Sequence, residues 1–451
     1  MHEMPSQPWN PDRQWADPLI ATLALVILLL IGGQARMRHA AAPRPDTAVT
    51  LQGRLQDLVQ AAPTVLGPLS GPILPRRTAA LDAPGIWDQA LAAVQAAEDR
   101  DPDRGEALLS AAKGEGLATF RRTWIWAYRG TGSTPTTEEL RKVRAALGDG
   151  YSARLLEARV RARAGEDPRP LEQAARAWAQ PRLLGMAGVA LGGMALTLAG
   201  LGFAFYLLLS RPRPVSLPAF GLSGRALLLV MLGWFTVLLC TGTVVGTLVS
   251  LAPFLRPVAL PLAYGLHAAL GTRFLCAAEG VDLRTLWRRL TAAPLAPALA
   301  QGLGFFALAL AAVLAVAMAM SPLARHAEPP QKELLQMLSG VHGPWTVVIL
   351  FLTVAVLAPA FEELMFRGLL LPWLGPRLAA RMGSGRGWAL AVAITGVTFG
   401  AMHMQPLGLP TLSTLGFVLG FAFVRTGNLG AAILVHGLWN GGVFILMRAL
   451  T

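Results

Sequence analysis

The sequence predicts an all-α, polytopic membrane helix bundle of about eight or nine spans with an inserted extramembrane helical domain. Three observations predict it. Of the 451 residues, 54% are hydrophobic and only 14% charged, against about 25% charged in an ordinary soluble domain. The mean hydropathy is +0.49. The charges are also unevenly spread: residues 34–182 hold 22 Lys and Arg and 17 Asp and Glu, whereas residues 183–451 hold 16 basic residues and six acids, Glu279, Asp282, Glu328, Glu333, Glu362 and Glu363.

Taken in order, residues 1–17 form a tail, and the apolar run 18–33 follows the acidic Asp12 and Asp17 rather than a basic segment. That predicts an uncleaved anchor, not a signal peptide. The run has about 16 residues where roughly 20 usually span a bilayer, so it must tilt little or extend into its flanks. Residues 34–182 are rich in Ala, Leu, Glu and Arg, with apolar residues at helical spacing from Trp87 to Ala97, which predicts several short amphipathic helices. Turn signals at Pro102, Gly130–Gly132, Pro135, Gly148–Gly150 and Pro168 separate them, and Thr136 or Thr137 caps a helix whose first turn holds Glu138 and Glu139. No repeat period and no recognisable chemistry is visible in this domain.

Residues 183–344 carry apolar runs near 183–209, 226–251, 257–277 and 294–320, and residues 345–451 carry runs near 345–371, 388–404, 408–424 and 429–449. The run at 257–277 is the weakest, shortened by Pro257, Pro261 and Arg273. Gly188, Gly192, Gly193, Gly200 and Gly202 predict close helix contact of the small-residue type. Residues 283–290 read as a short basic amphipathic helix on the cytoplasmic surface with Trp287 at the interface.

A net charge of +13 would point to nucleic acid in a soluble protein. Here the excess lies as Arg beside apolar runs, so anionic lipid and a topology signal explain it, and no nucleic-acid partner is expected. With nine spans, eleven Arg in the short loops (Arg211, Arg213, Arg225, Arg273, Arg284, Arg288, Arg289, Arg377, Arg381, Arg386 and Arg425) fall on one face, against Arg256, Arg325 and Lys332 on the other. The positive-inside rule puts the first face in the cytoplasm of a cell-membrane protein and residues 34–182 outside. Arg36 and Arg38 argue the other way, but long loops cross largely regardless of charge. Cys240 and Cys276, both in apolar surroundings, offer neither a disulfide framework nor a thiolate metal site.

Ionisable side chains within a bilayer are costly and usually face a protein interior or a water-filled cavity. Glu362 and Glu363 lie in Pro359–Gly368, with Arg367 four residues after Glu363 and on the same helical face. Adjacent residues point about 100° apart, so one glutamate can pair with Arg367 while the other stays free as a base. The alternative is a helix end reaching back to the interface. His403 closes the segment Phe399–His403, and His436 and Asn440 share a face at i,i+4 spacing, where they could hold a metal or a water. Each histidine alone reads as a hydrogen-bonded packing residue, and His267, without polar company in the sequence, stays in that class. At about 1.5 Å per residue from the basic-loop face, Glu362 lies ~14 Å deep, His436 ~12 Å and His403 ~22 Å, so three segments bring polar groups towards mid-membrane.

The Glu-Glu-x-x-x-Arg of Pro359–Gly368, the Phe-x-x-x-His of Phe399–His403 and the His-x-x-x-Asn of His436–Asn440 together resemble the motifs of the CAAX protease and bacteriocin-processing family. This family of intramembrane metalloproteases includes the type II CAAX prenyl endopeptidases. Gly416–Gly420 and Arg425–Leu429 resemble its glycine-rich span and the turn before its last motif. The resemblance covers residues 345–449; residues 1–340 show no comparable motif. It implies that Glu362 is the general base for a water, that Glu363 with Arg367 positions it, and that His403, His436 and Asn440 bind a metal or stabilise the oxyanion. The implied metal is zinc on His403 and His436, although Glu362 acting as a third ligand would no longer be a base. The implied substrates are membrane-associated proteins or peptides, with prenylated CAAX-type tails among them, and the partner of residues 34–182 is undefined. A proton-coupled transporter and a catalytically silent scaffold are the competing readings. Inverted repeats, which the first would call for, are not visible in residues 183–449.

Overall fold

The computed structural model describes residues 17–25, 27, 51–66, 86–112, 117–210, 217–218, 220–252, 255–323 and 343–450, and among them the regular structure is helical, without a strand. The all-α class is as the composition predicts. The chain divides into two compact units, residues 41–192 and residues 193–449 with 1–40.

The first unit holds α1 (Leu51–Leu66), α2 (Ile86–Glu98), α3 (Pro102–Ala111), α4 (Leu117–Arg129), α5 (Thr137–Leu147), α6 (Tyr151–Arg163) and the start of α7 (Arg169–Leu209). Local chemistry sets their ends. Asp101 caps α3, with Pro102 opening its first turn, where the missing N–H costs nothing. Thr136 caps α5 in a reciprocal capping box with Glu139, one of the two caps the sequence offered. The N-terminus of α6 follows Gly150, which has no side chain to cap it. The buried Asp57 of α1 does so instead, accepting from the Tyr151 and Ser152 amides at 2.7 and 2.9 Å. Burial pushes its carboxyl above the usual range, while those hydrogen bonds oppose the shift. The core gathers on Trp124 and Phe120, with the Trp124 indole donating to Ala93 O at 3.1 Å.

The membrane unit continues with α8 (Gly224–Leu251), α9 (Arg256–Glu279), α10 (Leu283–Leu290), α11 (Leu295–Met320), α12 (Pro344–Met382), α13 (Ser384–Met402), α14 (Leu409–Thr426) and α15 (Leu429–Leu450). Among the described residues six helices are long and apolar enough to cross a membrane: Arg169–Leu209, Gly224–Val249, Leu295–Met320, Pro344–Met382, Leu409–Thr426 and Leu429–Arg448. Together with the composition they make this an integral membrane protein. The runs predicted at 257–277 and 388–404 also form helices, α9 and α13; the weaker of them runs unbroken through Pro261 and ends on Gly280, whose φ of 64° is left-handed. The 18–33 anchor is helical over residues 17–25, and most of its remainder lies outside the described residues.

One packing expectation is corrected. A Cβ at Gly188, Gly192, Gly193 or Gly202 would meet nothing within 4 Å, and only Gly200 makes a close helix contact, against the Ala307 carbonyl of α11. The other glycines of α7 share the helix with exposed Leu191, Leu198 and Leu201, so small residues there leave room that no described helix takes. The amphipathic α10 is as expected: Leu286 and Leu290 are fully buried and Trp287 is exposed.

Candidate functional site

Helix α12 carries the paired glutamates and departs twice from α geometry. Wide π turns at Thr353–Leu357 and Phe366–Leu370 flank the α segment Ala358–Met365. A proline follows each within two residues, Pro359 and Pro372. Proline has no N–H and its ring crowds the carbonyl four residues back, so the preceding turn widens and a carbonyl loses its helical partner. After the first π turn that carbonyl is Val354 O, and the carboxamide of Asn440 on α15 donates to it at 3.2 Å. Gly437 permits the approach, since a Cβ there would lie 2.6 Å from Ala355 O.

The same approach sets His436 beside α12. Arg367 donates from Nη1 to Glu363 Oε1 at 2.9 Å and from Nη2 to Gly416 O on α14 at 2.7 Å. Gly416 in turn sits where α13 and α14 are closest: its Cβ would come 2.8 Å from Gly396 O. Glu363 and Arg367 are completely buried. His436 Nδ1 stands 2.9 Å from the same Glu363 Oε1, and because a carboxylate only accepts, Nδ1 carries a proton and Nε2 is the ring atom on the side of Glu362. Nε2 lies 3.9 Å from Glu362 Oε2. His403 is held alike, its Nδ1 2.8 Å from Phe399 O. The Phe399 ring packs between the two imidazoles, 4.9 and 5.4 Å away, beneath the Arg367 guanidinium at 4.8 Å.

The three predicted motifs therefore converge in space. Glu363 joins Arg367 to His436, and Glu362 stands beyond, 18% exposed on its side chain where Glu363 has none. Glu362 and His403 face a cavity of about 200 Å³ that Trp234, Leu238, Tyr264, His267, Phe361, Phe366 and Met402 also line. Glu363, Arg367, His436 and Asn440 are not among the residues of its wall. The sequence reading named neither Trp234 nor Tyr264 and left His267 as a hydrogen-bonded packing residue, whereas neither of its nitrogens has a hydrogen-bond partner in the fold. The i,i+3 spacing of Tyr264 and His267 on α9 was a usable signal, and their rings are stacked 6.5 Å apart.

Comparison with known proteins agrees with the motifs. Residues 344–442, which hold the three motifs, match the family model described as type II CAAX prenyl endopeptidase Rce1-like. An uncharacterized 24.3 kDa protein of Escherichia coli is 36% identical over 93 residues, which is 20% of this chain and 40% of that protein's length. No solved structure matches the chain.

Proposed function

We propose that the protein is an intramembrane endopeptidase that hydrolyses peptide bonds of membrane-associated proteins or peptides, prenylated CAAX-type tails included, with a water activated by Glu362. The observation that carries the reading is Glu362 Oε2 at 3.9 Å from His436 Nε2, on a cavity shared with His403. A water hydrogen-bonded to both groups fits that separation. Glu362 takes its proton as the oxygen adds to the scissile carbonyl carbon, and returns it to the departing amine nitrogen when the C–N bond breaks. Glu363 holds the His436 ring and Arg367 holds Glu363. Asn440 holds the Val354 carbonyl of the first π turn and so keeps α15, with His436, against α12. The Arg count of the basic loops supports a cytoplasmic side for them in a cell-membrane protein.

Two Nε2 atoms, each on a ring whose Nδ1–H is anchored, are the donor chemistry of metal-bound histidines. His403 and His436 would hold zinc, which when bound would lower the pKa of a water towards 7. Among the described residues no group of three His, Cys, Asp or Glu is drawn together as a ready metal site, so the steps above use the chain's own groups.

The test is cleavage of internally quenched peptides by purified protein. Glu362→Gln keeps shape but removes the proton acceptor, and turnover should fall by about 10² or more; near-normal turnover would end the reading and leave the transporter and scaffold alternatives. For the metal, a strong chelator should abolish cleavage and His436→Ala should lose bound ion by elemental analysis. Full activity in metal-free protein would instead favour the carboxylate-activated water alone.

A further inference from the structure

Helices α8 and α9, outside the segment that matches the family, contribute to the Glu362 cavity three polar atoms that have no partner in the fold. His267 is 2% exposed and Trp234 3%, and neither nitrogen of His267 nor the Trp234 indole nitrogen has a hydrogen-bond partner. Both side chains line the cavity with Glu362 and His403. Their rings lie 5.4 Å apart, and Phe361, the neighbour of Glu362, packs edge-on against His267 at 4.8 Å and Trp234 at 6.0 Å. Buried polar atoms are nearly always paired because leaving them unpaired costs stability. Three of them on one cavity wall, beside a carboxylate, therefore call for a ligand.

The chemistry of the wall narrows that ligand. An indole N–H only donates, and a neutral imidazole brings one further donor beside one acceptor nitrogen, so the wall offers two donors to an acceptor oxygen and one lone pair to a peptide N–H. The cavity lining contains the Glu362 carboxylate and no Lys or Arg, which disfavours an anion such as a terminal carboxylate or a phosphate. Apart from Tyr264 and His403, the remaining lining, Leu238, Phe361, Phe366 and Met402, is apolar. A neutral carbonyl flanked by an apolar side chain meets all three conditions.

We propose that His267 and Trp234 form a backbone subsite that holds a main-chain carbonyl of the substrate peptide close to its scissile bond, with the apolar lining receiving the adjacent side chain. The subsite rests on the peptidase reading above, and it makes peptide recognition partly a property of α8 and α9. The experiment uses the full-length protein in detergent and an internally quenched peptide library with apolar residues at its centre. His267→Phe keeps the ring contacts but removes both nitrogens. It should raise KM about tenfold, equivalent to about 1.4 kcal/mol, with kcat within about twofold, the signature of lost uniform binding. His267→Gln, which restores a donor, should recover part of the loss, and thermal stability should not fall. Trp234→Phe should shift KM the same way and decides the matter if His267→Phe fails to fold. Fluorescence anisotropy of the same peptides on Glu362→Gln protein, with and without His267→Phe, reads binding apart from chemistry. A KM and an anisotropy Kd within about twofold of the parent overturn the subsite while Glu362 dependence stands; cleavage that survives Glu362→Gln overturns the peptidase reading itself.

Discussion

Glu363 Oε1 accepts from both Arg367 and His436, so this one oxygen joins a stability role to a positioning role. Arg367 is buried completely, and a buried pair broken on one side costs about 3–5 kcal/mol. Glu363→Gln should therefore lower the melting temperature and expression along with activity, and Arg367→Gln added to it should recover part of the stability, read by thermal unfolding in detergent. Equal melting temperatures for wild type and Glu363→Gln would refute the pairing. Which glutamate pairs with Arg367 was legible in the sequence, because Arg367 lies four residues from Glu363 and five from Glu362. Their link to His436 was not: it spans 73 residues, and spacing along one helix says nothing about which helix will face it. For the same reason His267 passed as a packing residue until α9 was seen beside Phe361.

At the scale of elements, the first π turn of α12, Thr353–Leu357, determines where the glutamates point. Each widened turn shifts the helical phase that follows, so a side chain placed by 3.6-residue counting from Pro344 would be misaimed at Glu362. The prolines were visible in the sequence, yet hydropathy over residues 345–371 reports only a span. What it cannot report is that Asn440 would satisfy the Val354 carbonyl, which requires α15 in place. Pro359→Ala supplies the missing N–H and lets α12 recover regular pairing without Asn440. The melting temperature should hold or rise while turnover falls by up to about 10², the cost of a ~1 Å misplacement of a catalytic group. Unchanged turnover would show that the wide turn does not aim Glu362. The capping box of Thr136 and Glu139 was readable by contrast, since both partners lie within four residues.

For the whole molecule, the position of the membrane helices and the direction in which they cross the bilayer are set by two different signals. Hydropathy located the membrane helices because the bilayer demands long apolar stretches whose backbone groups pair internally. Orientation is carried by a different signal, the Arg and Lys of the short loops, and helix α12 offers a clean test because it joins a loop from each class. Before it lie Arg325 and Lys332; its last turns carry Arg377 and Arg381, and Arg386 follows, close to the turn at Gly383, whose φ is 85°. If the eleven-to-three imbalance sets the topology, a reporter or a single accessible cysteine placed near Gly383 should be cytoplasmic. One placed between Arg325 and Lys332 should be exoplasmic, as judged by membrane-impermeant labelling of intact cells. The reverse labelling would invert the bundle and put the Glu362 face nearer the opposite leaflet. Labelling of both positions from one side would show that α12, despite its 39 residues, does not cross.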